Sequence, residues 1–118
     1  MKKIEVPQFV IEFIIKLVRA TRPKEPSAPD VIKRLVDWGA GPRAGIFLAQ
    51  AGQAFAAMDG RPSVAIDDVK KAAIPVLRHR VSANFQAQAE GKTSDDIVIE
   101  LLKIVSDPEP PKYSGKKK

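Results

Sequence analysis

The stretch Trp38-Gly39-Ala40-Gly41-Pro42-Arg43-Ala44 combines residue types that suit anion binding. Gly39 and Gly41 lend backbone freedom. Pro42 suits the first position of a helix, where its missing N–H would be unpaired anyway. Arg43 then falls in the first helical turn, which is electrostatically the wrong end. A helix N-terminus carries about half a positive charge, so a cation there is unfavourable by roughly 0.3–1 kcal/mol. Helix starts preceded by glycine are natural anion sites. An arginine set against the dipole makes physical sense when a phosphate sits beside it.

The other residues that can do chemistry supply no such phosphate. Gly91-Lys92-Thr93 matches the end of a P-loop, but that motif needs a leading glycine where this chain has Gln86, and no buried strand precedes it. Lys92 reads as a surface residue ahead of a helix cap. His79 is the only histidine. A His-based metal site lacks partners for it, and a general-base role lacks a nucleophile or an orienting carboxylate. Between Arg78 and Arg80, at the end of a helix, it reads as a cap or an interface residue. The pairs Asp67-Asp68 and Asp95-Asp96 are explained by helix starts, where acids are favoured. There is no cysteine, which excludes disulfides, thiolate zinc sites and cysteine nucleophiles. The chain holds no self-contained catalytic constellation and no metal site.

The elements that must position Arg43 are helical. Residues 7–20 carry Phe9, Val10, Phe13, Ile14, Leu17 and Val18 on one face at a period of 3.6, with Pro7 at the first position and Ile11 and Ile15 outside the stripe. Three prolines between Arg22 and Pro29 make the next segment an extended loop. Asp30–Trp38 is expected as a short helix capped by Ser27 or Asp30, with a strand as the alternative. Residues 43–58 form a long helix whose apolar stripe is Phe47, Ala51, Ala54, Phe55 and Met58. Its other side, with Ala49, Gly52, Ala56 and Ala57, is small enough for a neighbour to approach closely. Gly60 ends it in the left-handed region. Ser63–Ile66 is a strand or bridge, expected to pair with Val81–Phe85. Residues 67–79 form a helix with Val69, Ala72, Ala73, Val76 and Leu77 inward, kinked or tightened by Pro75. Gln86–Lys92 is a polar connection. A last helix opens at Thr93, with Asp96 in the capping-box position, and buries Ile97, Val98, Leu101, Leu102 and Val105.

With 118 residues, 44% of them hydrophobic and 29% charged, the chain is one ordinary globular domain. Its fold class is mainly α: a small bundle of four or five helices with at most a short two-stranded β element. Residues 1–106 form the domain and 107–118 a flexible basic tail. No run approaches the roughly 18 apolar residues of a membrane span. The basic start is followed by an apolar run broken at Glu12 and Lys16 and by no cleavage site, so it is not a signal peptide and the protein is read as cytoplasmic. The net charge of +6 invites a nucleic-acid reading. However, Lys2, Lys3 and the four lysines of the tail carry most of that excess, and the interior is only mildly basic.

Five pieces occur in order: Val18-Arg19-Ala20-Thr21-Arg22, Gly39-Ala40-Gly41-Pro42-Arg43-Ala44, Asp59-Gly60-Arg61, Asp68-Val69, and Pro75-Val76-Leu77-Arg78-His79-Arg80. Together they resemble the C-terminal lid domain of the MoxR family of AAA+ ATPases, over about residues 8–105. The resemblance implies a helical lid that follows a nucleotide-binding α/β domain and folds over its ATP. Arg43 corresponds to the sensor 2 arginine, the catalytic contribution of the lid, and Gly41, Pro42, Ala44 and Phe47 join it on the nucleotide side. ATP and Mg²⁺ are then held by the upstream domain, because this chain has no counterpart of the P-loop, the Mg²⁺-binding acids, sensor 1 or the arginine finger. The implied partners are that α/β domain, neighbouring subunits of a hexameric ring, and a client complex that the ring remodels in a chaperone-like way. One departure stands out: the family often caps its third main helix with Ser or Thr, where this chain has Ala65 or Ile66. Two other readings are a helical protein-interaction module, in which Arg43 meets an acidic partner, and a basic nucleic-acid-binding domain, whose mark would be steep salt dependence.

Overall fold

A glycine and alanines let two helices meet closely at the centre of the molecule. In the computed structural model, which describes residues 4–26 and 28–105, α3 (Arg43–Met58) packs along α4 (Ile66–Leu77). Its inward residues are Ala44, Leu48, Gly52 and Ala56. A Cβ on Gly52 would stand 2.9 Å from Cγ1 of Val64, so this approach is closed to any larger residue without a shift. The expected stripe is therefore reversed. Phe47 and Met58 are exposed, Ala54 is exposed, and Ala51 and Phe55 are only partly covered.

The preceding elements are α1 (Gln8–Ala20), α2 (Asp30–Leu35) and β1 (Val36–Trp38). Pro7 is the residue before α1 rather than its first, with extended ψ. Val10, Phe13, Ile14, Leu17 and Val18 of α1 are buried as the periodicity requires. Segment 30–38 splits between the two expectations, helix then strand. No side chain caps α2: Pro29 precedes it, Asp30 is its first residue, and Ser27 lies outside the described residues. Past Leu77 come β2 (Ser82–Ala83), α5 (Phe85–Ala89) and α6 (Ser94–Ile104).

β1 and β2 form an antiparallel ribbon, with Val36 opposite Ala83 and Trp38 opposite Ser82. Val81–Phe85 thus does not pair with residues 63–66. Instead Ser63 forms an isolated parallel bridge with Glu5. The ribbon is secured from Asn84, whose N–H donates to the Leu35 carbonyl and whose Nδ2 donates to the Arg34 carbonyl, each at 2.9 Å. The same side chain caps α5, accepting from the Ala87 N–H at 3.0 Å. A helical turn therefore replaces the expected polar connection, and the described residues hold six helices rather than four or five. The two-stranded element is as short as expected.

Local punctuation falls where the residues demand it. Gly60 has φ +72 and Gly91 φ +74, values that L side chains rarely adopt. Thr93 Oγ1 accepts from the Asp96 N–H at 3.2 Å and Asp96 Oδ2 accepts from the Thr93 N–H at 3.0 Å, a complete capping box. That bonding holds the Asp96 carboxyl below its ordinary value. Helix α4 starts at Ile66, before which Ala65 offers no cap. Asp68 takes over half of that task, accepting from the Ala65 N–H at 2.8 Å. The helix runs through Pro75, which is exposed, to Leu77. The core comprises one cluster, with Phe13, Leu17, Ile32, Leu48, Leu77 and Leu101 among its fully buried side chains. The tail expected at 107–118 lies outside the described residues.

Candidate functional site

The Arg43 end of α3 is held by the end of α1. Thr21 is fully buried, and its hydroxyl donates to the Val18 carbonyl at 2.6 Å while accepting from the Ala40 N–H at 2.9 Å. Arg22 follows, its Nε donating to the Ala40 carbonyl at 3.0 Å. Both polar groups of the Ala40 backbone are therefore fixed by adjacent residues of α1's C-terminal turn. Gly39 is required here: a Cβ would lie 2.2 Å from the Thr21 carbonyl oxygen, far inside contact. This docking sets where α3 begins. The Ala44 N–H then reaches the Gly41 carbonyl at 3.1 Å, and helix runs from Arg43.

Of the residues expected on the nucleotide side, Gly41, Pro42, Arg43 and Phe47 are exposed, Phe47 at the margin of that class. Ala44 is buried, 1% exposed, so its side chain serves packing and only its backbone belongs to the turn. No side chain caps α3, and no acid stands in its first turn. The Arg43 side chain makes no hydrogen bond or ion pair among the described residues. Beside it runs an open groove of about 500 Å³, lined by Arg22, Lys24, Trp38, Gly41 and Pro42 among others. The indole of Trp38 is 67% exposed.

One residue that sequence reasoning placed elsewhere joins this end. The guanidinium of Arg80 stacks over the Phe47 ring, 4.4 Å from its centroid, and donates through Nη1 to the Val76 carbonyl at 2.8 Å. Arg80 was visible in the sequence only as a cation at the end of a helix, and nothing local pointed to Phe47, 33 positions earlier. The remaining candidates are structural. Lys92 pairs with Glu100, which holds its ammonium above the ordinary value. Arg78 grips Asp95 with two bonds, at 2.9 and 3.0 Å, joining α4 to α6. Asp68 is buried and accepts from Nη1 and Nη2 of Arg61, at 2.8 and 2.6 Å, which holds its carboxyl below its ordinary value despite burial. His79 is exposed. Among the described residues no three His, Asp or Glu side chains gather as a metal site, and no helix is long and apolar enough to cross a membrane.

Among the described residues the molecule is a small bundle of six helices with one short ribbon, and its central helix opens on a glycine-proline-arginine start. Residues 28–101 match the family of the AAA lid domain, and the chain belongs to it. Within that family it is of the MoxR type. It is 29% identical over 100 residues to "Chaperone MoxR1" of Mycobacterium tuberculosis, covering 85% of this chain and 26% of that protein. It is 31% identical over 108 residues to the uncharacterized protein YeaC of Bacillus subtilis, covering 92% of this chain and 31% of the other. A crystal structure of a candidate ATPase from Cytophaga hutchinsonii superposes with a TM-score of 0.81 at 31% identity, over 88% of this chain and 32% of that one. The chain thus spans a quarter to a third of the length of these relatives.

Proposed function

We propose that this lid closes over ATP bound by a separate α/β domain, and that Arg43 is its sensor 2 arginine. The observation that carries the reading is the state of Arg43. It stands exposed at the head of a 16-residue helix, without a partner among the described residues and without an acid in the first turn. A cation held against a helix dipole is offset by an arriving anion, and the γ-phosphate of ATP is the anion a lid meets. Phosphoryl transfer depends mainly on positioning and on charge stabilisation of the phosphate oxygens. The docking of Gly39 and Ala40 on Thr21 and Arg22 fixes the backbone from which Arg43 projects. Because it bonds the triphosphate and not the diphosphate in full, it also biases the lid toward closure in the ATP state.

In this reading the α/β domain supplies the P-loop and the acids for Mg²⁺. Gly41, Pro42 and Phe47 flank the nucleotide, and residues 1–106 are the lid, with 107–118 as a basic tail. The complete ATPase acts as a cytoplasmic, ring-shaped, chaperone-like remodeler, in keeping with the chaperone name of its mycobacterial relative. The test is Arg43→Ala in the polypeptide that carries both domains. ATP turnover should fall about 10²-fold, the scale on which one preorganised charge donor acts, with the helical circular dichroism unchanged. Unaltered hydrolysis would remove the sensor 2 role.

A further inference from the structure

The seven arginines of the chain divide by their partners. Arg19 pairs with Glu25, Arg34 with Glu90, Arg61 with Asp68 and Arg78 with Asp95. Arg22, Arg43 and Arg80 have no carboxylate partner among the described residues. Arg22 is committed to the Ala40 carbonyl. Of the other two, Arg80 lies over the ring of Phe47 and Arg43 stands one turn before that ring on α3. Phe47 stands four residues after Arg43, one turn along the same face, where side chains lie roughly 5–6 Å apart at Cβ. Helical side chains lean toward the N-terminus, so the ring of Phe47 leans toward the Arg43 turn, and the guanidinium of Arg80 lies over that ring.

Arg80 is held in two ways, by its ring contact and by the Val76 carbonyl. One Nη1 bond occupies only part of a guanidinium that has five N–H donors. Neither guanidinium has a carboxylate partner among the described residues, and for two cations beside one ring on a surface the natural compensation is a shared anion. A phosphate chain offers anionic oxygens in succession, where one carboxylate offers only two. Arginine's planar fork also matches phosphate oxygens in pairs. We propose that Arg43 and Arg80 form a two-arginine clamp for the phosphate chain of a nucleotide, with Phe47 as the ring that sets their spacing. The clamp rests on the reading of Arg43 as a phosphate-facing residue. It adds a second cation from the far end of α4, so the lid's grip on phosphate depends on the α3–α4 packing.

The test titrates this chain with inorganic tripolyphosphate at low salt and follows the side-chain Nε–Hε resonances of its arginines. Arg43 and Arg80 should shift together, with one dissociation constant. Arg80→Gln should weaken binding roughly fivefold, the order expected for losing one partly exposed charge contact. Arg80→Lys should restore part of the loss. Phe47→Leu, which keeps both charges and removes the ring, should also weaken binding, and it serves where Arg80→Gln disturbs the fold. If Arg43 shifts while Arg80 stays still, or Arg80→Gln leaves the affinity unchanged, the clamp is wrong and the sensor 2 reading stands. If neither resonance moves, the clamp is wrong and the turnover of Arg43→Ala decides the other reading. Equal shifts with a hexaglutamate peptide would overturn the phosphate assignment in favour of an acidic protein surface.

Discussion

Replacing Thr21 by valine isolates the contact that positions the Arg43 turn. The two side chains have the same shape, so packing is kept and two hydrogen bonds are lost. The two bonds are not equal. The Val18 carbonyl also accepts from the Thr21 backbone N–H at 3.1 Å, so it keeps a partner. The Ala40 N–H has only the Thr21 hydroxyl, at a residue 1% exposed. Valine therefore leaves one buried donor unsatisfied, at a cost of about 1–3 kcal/mol. Taking about 2 kcal/mol, a domain of this size should melt about 8 °C lower. Urea denaturation followed by far-ultraviolet circular dichroism measures the difference, with an unchanged m-value showing that only stability moved. Thr21→Ser keeps both bonds and loses a methyl group worth about 0.8 kcal/mol, so it should fall between the parent and valine. A valine variant as stable as the parent would refute the reasoning, because the Ala40 N–H would then have another partner. If the proposed function holds, the same substitution in a polypeptide carrying both domains should slow ATP turnover by loosening Gly39 and Ala40, without touching Arg43 itself.

Gly52→Val should cost about 1–3 kcal/mol as overpacking, since even a bare Cβ would stand 2.9 Å from Val64. A denaturation midpoint within error of the parent would show that α3 and α4 can separate. Asp68→Asn should lower stability at neutral pH and flatten its loss in acid. Arg61 depresses the folded-state pKa of Asp68, so its contribution is fully present above the unfolded value of 3.8 and fades as the pH falls below that through the depressed value. Equal acid dependence in parent and variant, measured by urea unfolding at several pH values, would contradict this. Arg43→Ala should change stability by less than about 0.5 kcal/mol, as befits an exposed residue without a partner. A large fall in the melting temperature would mean that Arg43 holds the fold rather than serves a ligand.

The sequence by itself determined where α3 and α6 begin and end to within a residue or two, and with them the Arg43 turn. Gly60, Gly91, Thr93 with Asp96, and Pro42 act through bonds and dihedrals within a few residues, so their effects are written locally. The same holds for the buried face of α1, where bulky residues recur on one stripe and leave no competing choice. Tertiary structure decided which side of α3 faces inward. Both sides were apolar, and the smaller one won because Gly52 and Ala56 let α4 and Val64 come close. It also decided the partner of β2. A two- or three-residue strand has too little pattern to name its neighbour, and the Asn84 bonds to Arg34 and Leu35 supply the missing information from 50 positions away. The Phe47–Arg80 stack belongs to the same class. The place of Arg43 at the head of α3 could be read from its turn alone, but the cation over Phe47 came into view only when α4 was laid against α3.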